Sequence, residues 1–259
     1  MKSLHGKRAF ITGASAGIGR ATALRFAAMG ADLVLLARRE NKLQSLVSEV
    51  QAEGGRAEYR ALDLADQRSL SEFAKSLADD GGVDILVNNV SGPAPGRLLD
   101  ATPADFEQGF TVHLFAAQIL VQSFVDGMTK RGFGRILNVI STSVREPIPN
   151  LGVSNTVRGA MASWAKTLSR ELPSGITVNN ILPGFTNTER LAALRAHLAK
   201  ERGVSEAEVE QRWLATVPEG RLAEPSEVAA AIGFLASPEA GFIRGVNLAV
   251  DGGRTTSIA

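Results

Sequence analysis

The sequence predicts an α/β protein: one doubly wound domain spanning residues 1–259, with a parallel sheet of about seven strands and helices on both faces. Three observations predict it. Apolar runs alternate with amphipathic stretches from end to end, the pattern of strands joined by crossover helices. A glycine-rich turn joins the first such run to the first amphipathic stretch. No Pro/Ser/Gly-rich linker or internal repeat divides the 259 residues, and 44% of them are hydrophobic, enough for one sizeable core.

Taken in order, Arg8–Thr12 reads as a short buried strand, followed by a helix over Gly17–Met29 that Gly30 stops. Asp32–Ala37 is the second strand. A helix follows it with Leu43, Leu46, Val47 and Val50 at helical spacing. Glu58–Leu62 is the third strand, and Leu70, Phe73, Ala74 and Leu77 mark the next helix. Val83–Val90, Arg135–Ile140, Ile176–Leu182 and Val246–Val250 complete the strands. Long helices are expected over Pro103–Met128, Gly152–Leu172 and Pro225–Ala236. Residues 187–217 form a helical insertion after the strand end at Pro183-Gly184. There it would cap a ligand crevice as a lid, or lie as an ordinary surface helix.

Composition excludes several functions. The net charge is +1 with dispersed Lys and Arg, so no global field recruits nucleic acid or a membrane surface. No apolar run approaches a membrane span. There is no cysteine, which rules out disulfides and thiolate chemistry. No His/Asp/Glu cluster has metal-ligand spacing, so no metal is expected. Met1–Arg8 is short and polar, without an apolar leader core. The expected location is the cytoplasm.

The sharpest motif is Thr12-Gly13-Ala14-Ser15-Ala16-Gly17-Ile18-Gly19, set between a strand and a helix. Glycines permit a tight turn and the close approach of a pyrophosphate, and the helix start offers free N–H groups and a positive dipole end. A dinucleotide is therefore expected on Gly13, Ser15, Ala16, Gly17, Ile18 and Gly19. At the end of the second strand stand Ala37 and then Arg38-Arg39. An acidic residue there would hold a ribose 2′-hydroxyl, whereas a guanidinium pairs with a 2′-phosphate. NADP(H) is expected in preference to NAD(H), with Arg38 the main contact and Glu40 beside it.

Three residues separate the first two glycines. This spacing resembles the short-chain dehydrogenase/reductase family, a Rossmann-fold family with the signature Thr-Gly-x-x-x-Gly-x-Gly, and within it the branch of 3-oxoacyl carrier-protein reductases. Other matching segments run the length of the chain: Asp63-Leu64, Asn88-Asn89-Val90-Ser91-Gly92, Pro183-Gly184 and Asp251-Gly252-Gly253. The resemblance implies that Asp63 and Leu64 hold the adenine ring and that Asn89 belongs to the cofactor site. It implies that Pro183 and Gly184 touch the nicotinamide, with Thr186 and Thr188 in the carboxamide turn.

The family's catalytic set is Ser, Tyr, Lys and Asn. Aligned on Gly134-Arg135-Ile136, the Ser is kept as Ser141, but Ser154 stands at the Tyr position, Arg158 at the Lys and His113 at the Asn. No Tyr-x-x-x-Lys occurs, and the only tyrosine is Tyr59. Ser154-Asn155-Thr156-Val157-Arg158 resembles a divergent branch of these reductases. Ser154 and Arg158 share a helix face as i and i+4. A serine ends roughly one ring length short of a phenol and is a far poorer acid. Arg158 stays protonated and suits ribose hydroxyls. Losing general acid catalysis costs about 3–5 kcal/mol of barrier, which slows hydride transfer without forbidding it. His113, with an ordinary pKa of about 6.5, is either the replacement acid or a structural histidine. His5 and His197 read as solvated.

Three functions fit. The first is an NADP(H)-dependent oxidoreductase reducing a small carbonyl compound (3-oxoacyl, or another ketone or aldehyde) through an atypical site. The second is an impaired NADP(H)-binding sensor, and the third a lyase or isomerase holding the dinucleotide structurally. Leu191, Leu194, Leu198 and Trp213 suggest a partly apolar ligand, while Arg190, Arg195, Lys200 and Arg202 read as a solvated helix face. The resemblance also implies a homo-oligomer, a tetramer or dimer, packed through the two long helices at Ala116, Ala117, Ala160 and Ala162.

Overall fold

Every strand of the sheet runs parallel to its neighbours, in the order β3-β2-β1-β4-β5-β6-β7. In the computed structural model, which describes residues 3–258, the strands are β1 Arg8–Thr12, β2 Asp32–Ala37, β3 Arg56–Ala61, β4 Ile85–Asn89, β5 Gly134–Val139, β6 Ile176–Pro183 and β7 Asn247–Val250. Met1, Lys2 and Ala259, the ends of the expected domain, lie outside the described residues. The order reverses between β1 and β4. That switch point opens a crevice beyond the carboxyl ends of the strands.

The helices are α1 Gly17–Ala28, α2 Glu40–Ala52, α3 Gln67–Asp79, α4 Pro103–Phe110, α5 Ala116–Arg131, α6 Gly152–Glu171, α7 Glu189–Arg202, α8 Glu206–Leu214 and α9 Pro225–Ala236. Side chains alternate across a strand, so each strand feeds two cores. Ile11, Leu33, Leu35 and Val87 pack with Phe26 of α1, Leu46 of α2 and Ile232 of α9. Phe10, Val34, Leu86 and Ile136 face the other way, onto Leu70 of α3, Phe124 of α5 and Ala165 of α6. Phe10 meets Phe124 edge-on at 5.8 Å between ring centres. Among the described residues no helix is long and apolar enough to cross a membrane.

A ladder of amides, not foreseen from the sequence, crosses the second half of the sheet. Asn88 donates to Asn138, Asn138 to Asn180 and Asn180 to Asn247, at 2.8, 2.8 and 2.7 Å. These residues are direct register partners on β4, β5, β6 and β7. Asn138 is wholly buried, so a one-residue slip would strand its amide without partners.

Strand starts fall within two residues of expectation, but the long helix expected over Pro103–Met128 is broken. After α4, residues Thr111–Phe115 form a π-type turn, and α5 then runs on to Arg131, where Gly132 (φ 65°) ends it. A π-turn admits one extra residue per turn and leaves the apolar pattern of its flanks intact, so periodicity misses it. The 187–217 insertion is helical as expected, in two pieces. Thr188 caps α7 by accepting from the Leu191 N–H, and Ser205 and Glu208 form a capping box on α8. Leu198, Ala199 and Val209 give the pair its own small core.

Candidate active site

A cleft of about 1180 Å³ lies over the switch point, and the Gly13–Ile18 turn forms one wall. Gly13 has φ 60°, and a Cβ there would lie 2.3 Å from the Asn89 carbonyl oxygen, so no side chain is tolerated. The Asn89 amide locks the turn by donating to the carbonyls of Thr12 and Gly13 at 3.3 and 3.2 Å. The Asn89 N–H donates to Thr12 Oγ1 at 2.9 Å. Ala16, at the start of α1, offers no side-chain cap, and the first turn carries no acidic residue. Its first N–H groups therefore remain free for an anion.

Gly19, the third residue of α1, is set back from the turn. It does not line the cleft. A Cβ there would lie 2.3 Å from the Gly13 carbonyl oxygen, so glycine lets α1 pack against the turn.

Beside the turn in the cleft lining are Arg38 and Arg39, with Asp63 and Leu64. The Arg38 side chain is 73% exposed and only 3.7 Å from Asp63. Arg39 is more engaged, donating to Glu189 at 3.0 Å and to Ser15 Oγ at 3.4 Å.

Ser141, Ser154 and Arg158 line the same cleft, together with Pro183, Gly184, Thr186 and Thr188. Ser141 follows β5, and its Oγ accepts from the Ser143 N–H at 3.0 Å. Ser154 Oγ accepts from Arg158 Nε at 3.2 Å. With a lone pair of each oxygen engaged, both hydroxyl protons are free to donate into the cleft. Arg158 is only 9% exposed. Its Nη1 donates to the Ile140 carbonyl at 2.6 Å, and no carboxylate among the described residues pairs with it. Burial, reinforced by Arg190, pushes Arg158 down to about 10, so it remains a cation at neutral pH.

Of the two roles open to His113, its surroundings favour the structural one. It sits in the π-turn, 4% exposed, away from the cleft wall. It lines instead a separate cavity of about 10 Å³ with Thr12, Asn88, Asn89 and Met161, room for about one water. Its ring donates to the backbone of Ser91, and Nε2 has no partner. Burial first, then the Arg158 charge, pushes its pKa down to about 3 against the opposing pull of the Ser91 bond. The imidazole is therefore neutral near pH 7 and has no acidic proton to give at neutrality.

A sequence profile described as enoyl-(acyl carrier protein) reductase matches residues 13–255. The chain is 35% identical to the 3-oxoacyl-[acyl-carrier-protein] reductase FabG of Vibrio cholerae over 257 residues, covering 97% of this chain and 98% of that one. It is 31% identical to the NADPH-dependent reductase BacG of Bacillus subtilis, covering 97% and 99%. The structure of L-sorbose reductase from Gluconobacter frateurii, complexed with NADPH and L-sorbose, superposes with a TM-score of 0.93 at 31% identity over 100% of both chains. The chain belongs to the short-chain dehydrogenase/reductase family.

In this short-chain dehydrogenase/reductase the fold brings Ser141, Ser154 and Arg158 together as the alignment implied. Tyr59 is no substitute phenol: it lies on β3, at the edge of the sheet, and reaches Glu40 at 3.3 Å. Of the apolar residues expected to meet a ligand, Leu191 and Leu194 line the cleft. Leu198 is buried between α7 and α8, and Trp213 stacks on Phe185 at 5.0 Å between ring centres. Of the basic residues read as a solvated face, Arg195 pairs with Glu206 and Glu210, and Lys200 and Arg202 are exposed. Arg190 differs. It lines the cleft and donates to the Pro93 carbonyl at 2.7 Å. Its place in the first turn of α7, just after the Thr188 cap, is the sequence signal that marks it.

Proposed function

We propose that the chain is an NADP(H)-dependent reductase of a carbonyl compound, acting on the CH–OH/C=O couple. The observation that carries this reading is the pairing, in one cleft, of a phosphate-ready glycine turn and basic rim with two serine hydroxyls and a buried cation. Relatives whose names include NADPH support the choice of cofactor. When bound, the nicotinamide supplies hydride.

The free N–H groups of the Gly13–Ile18 turn hold the pyrophosphate, and Arg38 and Arg39 hold the 2′-phosphate. Asp63 and Leu64 flank the adenine. Arg158 reaches the nicotinamide ribose, with Pro183, Gly184, Thr186 and Thr188 at the ring. Ser141 and Ser154 donate to the substrate carbonyl oxygen. The Arg158 charge, poorly screened in its buried position, stabilises the negative charge that develops there. The proton then comes from water through the serine hydroxyls. The α7–α8 pair covers the cleft, and α5 and α6 form the face of a homo-oligomer.

One observation favours a second reading, an NADP(H)-binding sensor. No phenol lines the cleft, and His113 is neutral and does not line it. NADPH consumption against a panel of ketones, aldehydes and quinones separates the two. Turnover of any member supports the reductase. NADPH binding without turnover across the panel supports the sensor.

A further inference from the structure

The cleft that serves the proposed reduction has an unbalanced charge at its catalytic end. Four carboxylates line it, and each is engaged elsewhere. Asp63 lies beside Arg38, Glu189 pairs with Arg39, Asp100 lies 3.8 Å from Arg97, and Asp105 accepts from Thr102. Arg158 and Arg190 are left without an acidic partner among the described residues, and both line the cleft.

The two guanidiniums converge on one short segment. Arg190 Nη2 donates to the Pro93 carbonyl at 2.7 Å. Arg158 Nη2 packs against Gly92, where a Cβ would lie 2.9 Å from it. Any other residue at Gly92 would displace the guanidinium. Nη2 of Arg158 has no protein acceptor, because the bonds to Ser154, Ile140 and Val139 come from Nε and Nη1. Ribose hydroxyls would give it hydrogen bonds but no counter-charge. The proposed dinucleotide phosphates sit at the glycine turn and at Arg38, on the side met by Thr188 and Glu189, whereas Arg190 reaches Pro93. A buried cation without a partner is costly, and the free Nη2 of Arg158, together with the Arg190 guanidinium, suits an anion held between the two.

We infer that the substrate is an anion, a carbonyl compound whose carboxylate sits between Arg158 and Arg190 while its carbonyl meets Ser141 and Ser154. Arg158 Nε touches Ser154 Oγ, so the carboxylate lies within about one guanidinium width of the reacting carbonyl. That geometry selects 2-oxo and 3-oxo acids over neutral ketones and over esters or thioesters, which lack the charge. Leu191 and Leu194 meet the apolar remainder.

The inference rests on the proposed reductase reading, and calorimetry can separate the two. The probes are 2-oxohexanoate and its methyl ester, titrated into the chain alone and into the chain loaded with NADP+. The expected result is an acid preference of tenfold or more in at least one form, reduced at least fivefold in Arg190→Gln. Equal affinity for acid and ester, no binding of the acid in either form, or a preference unchanged in Arg190→Gln would overturn the inference. Failure of NADP+ to bind, with the acid preference intact, would overturn the reductase reading alone.

Discussion

Arg158 donates to the carbonyl oxygen of Ile140 at 2.6 Å, which ties the buried cation of α6 to the residue just before Ser141. The same guanidinium holds Ser154 through Nε. Replacing the family's phenol with a serine thus leaves a connected unit, two hydroxyl donors and one fixed charge. Ser141→Ala removes one donor to the developing alkoxide and should lower kcat by about 10²-fold, the low end for an oxyanion donor. Ser154→Ala should cost a similar factor, with NADPH affinity unchanged in both. Steady-state kinetics and a cofactor titration on each variant check this. A loss confined to KM would show that the hydroxyls only bind substrate.

Arg38→Ala should weaken NADPH binding by about 10- to 100-fold, the worth of a charge-assisted bond to phosphate, and leave NADH binding unchanged. Arg39→Ala should have a smaller effect, because Arg39 already gives part of its bonding to Glu189. Fluorescence titrations with both cofactors test the order. Equal losses for NADPH and NADH would place these arginines away from the 2′-phosphate.

His113 links stability to pH. Its folded pKa of about 3 lies below the ordinary value of 6.5, so between these limits the unfolded chain binds a proton that the native chain refuses. Stability rises with pH across that window. The contribution is complete above about pH 6.5 and is lost as pH falls toward about 3. The melting temperature of the wild type should therefore drop more steeply between pH 7 and pH 4.5 than that of His113→Asn. Parallel melting curves for the two proteins would contradict the buried, neutral imidazole.

The amide ladder predicts a local cost far from any ligand. Asn138→Ala leaves the Asn88 donor and the Asn180 acceptor unpaired in the sheet. At about 1–3 kcal/mol for each orphaned group, the variant should lose about 2–4 kcal/mol in chemical denaturation. A loss below about 1 kcal/mol would mean that neighbouring groups or water replace the ladder.

The strands, the glycine turn and the basic pair after β2 were legible in the sequence because each rests on local pattern. Ser141, Ser154 and Arg158 were legible through family spacing. What escaped depends on contacts between distant segments. The Asn88–Asn138–Asn180–Asn247 ladder joins residues on four strands. The tight packing of Gly19 on Gly13 is seen only in the fold. His113 has an ordinary pKa in sequence, and only burial beside Arg158 takes its proton away. Arg190 resembles its exposed neighbours until the fold turns it toward Pro93.

The proposed cofactor is NADP(H), held at the glycine turn and at the arginines after β2. Calorimetric titration of the wild-type chain with NADPH and with NADH tests it most directly. NADPH should bind at least tenfold more tightly than NADH, with one site per chain. NADH binding as tightly as NADPH, or no heat from either, would contradict it.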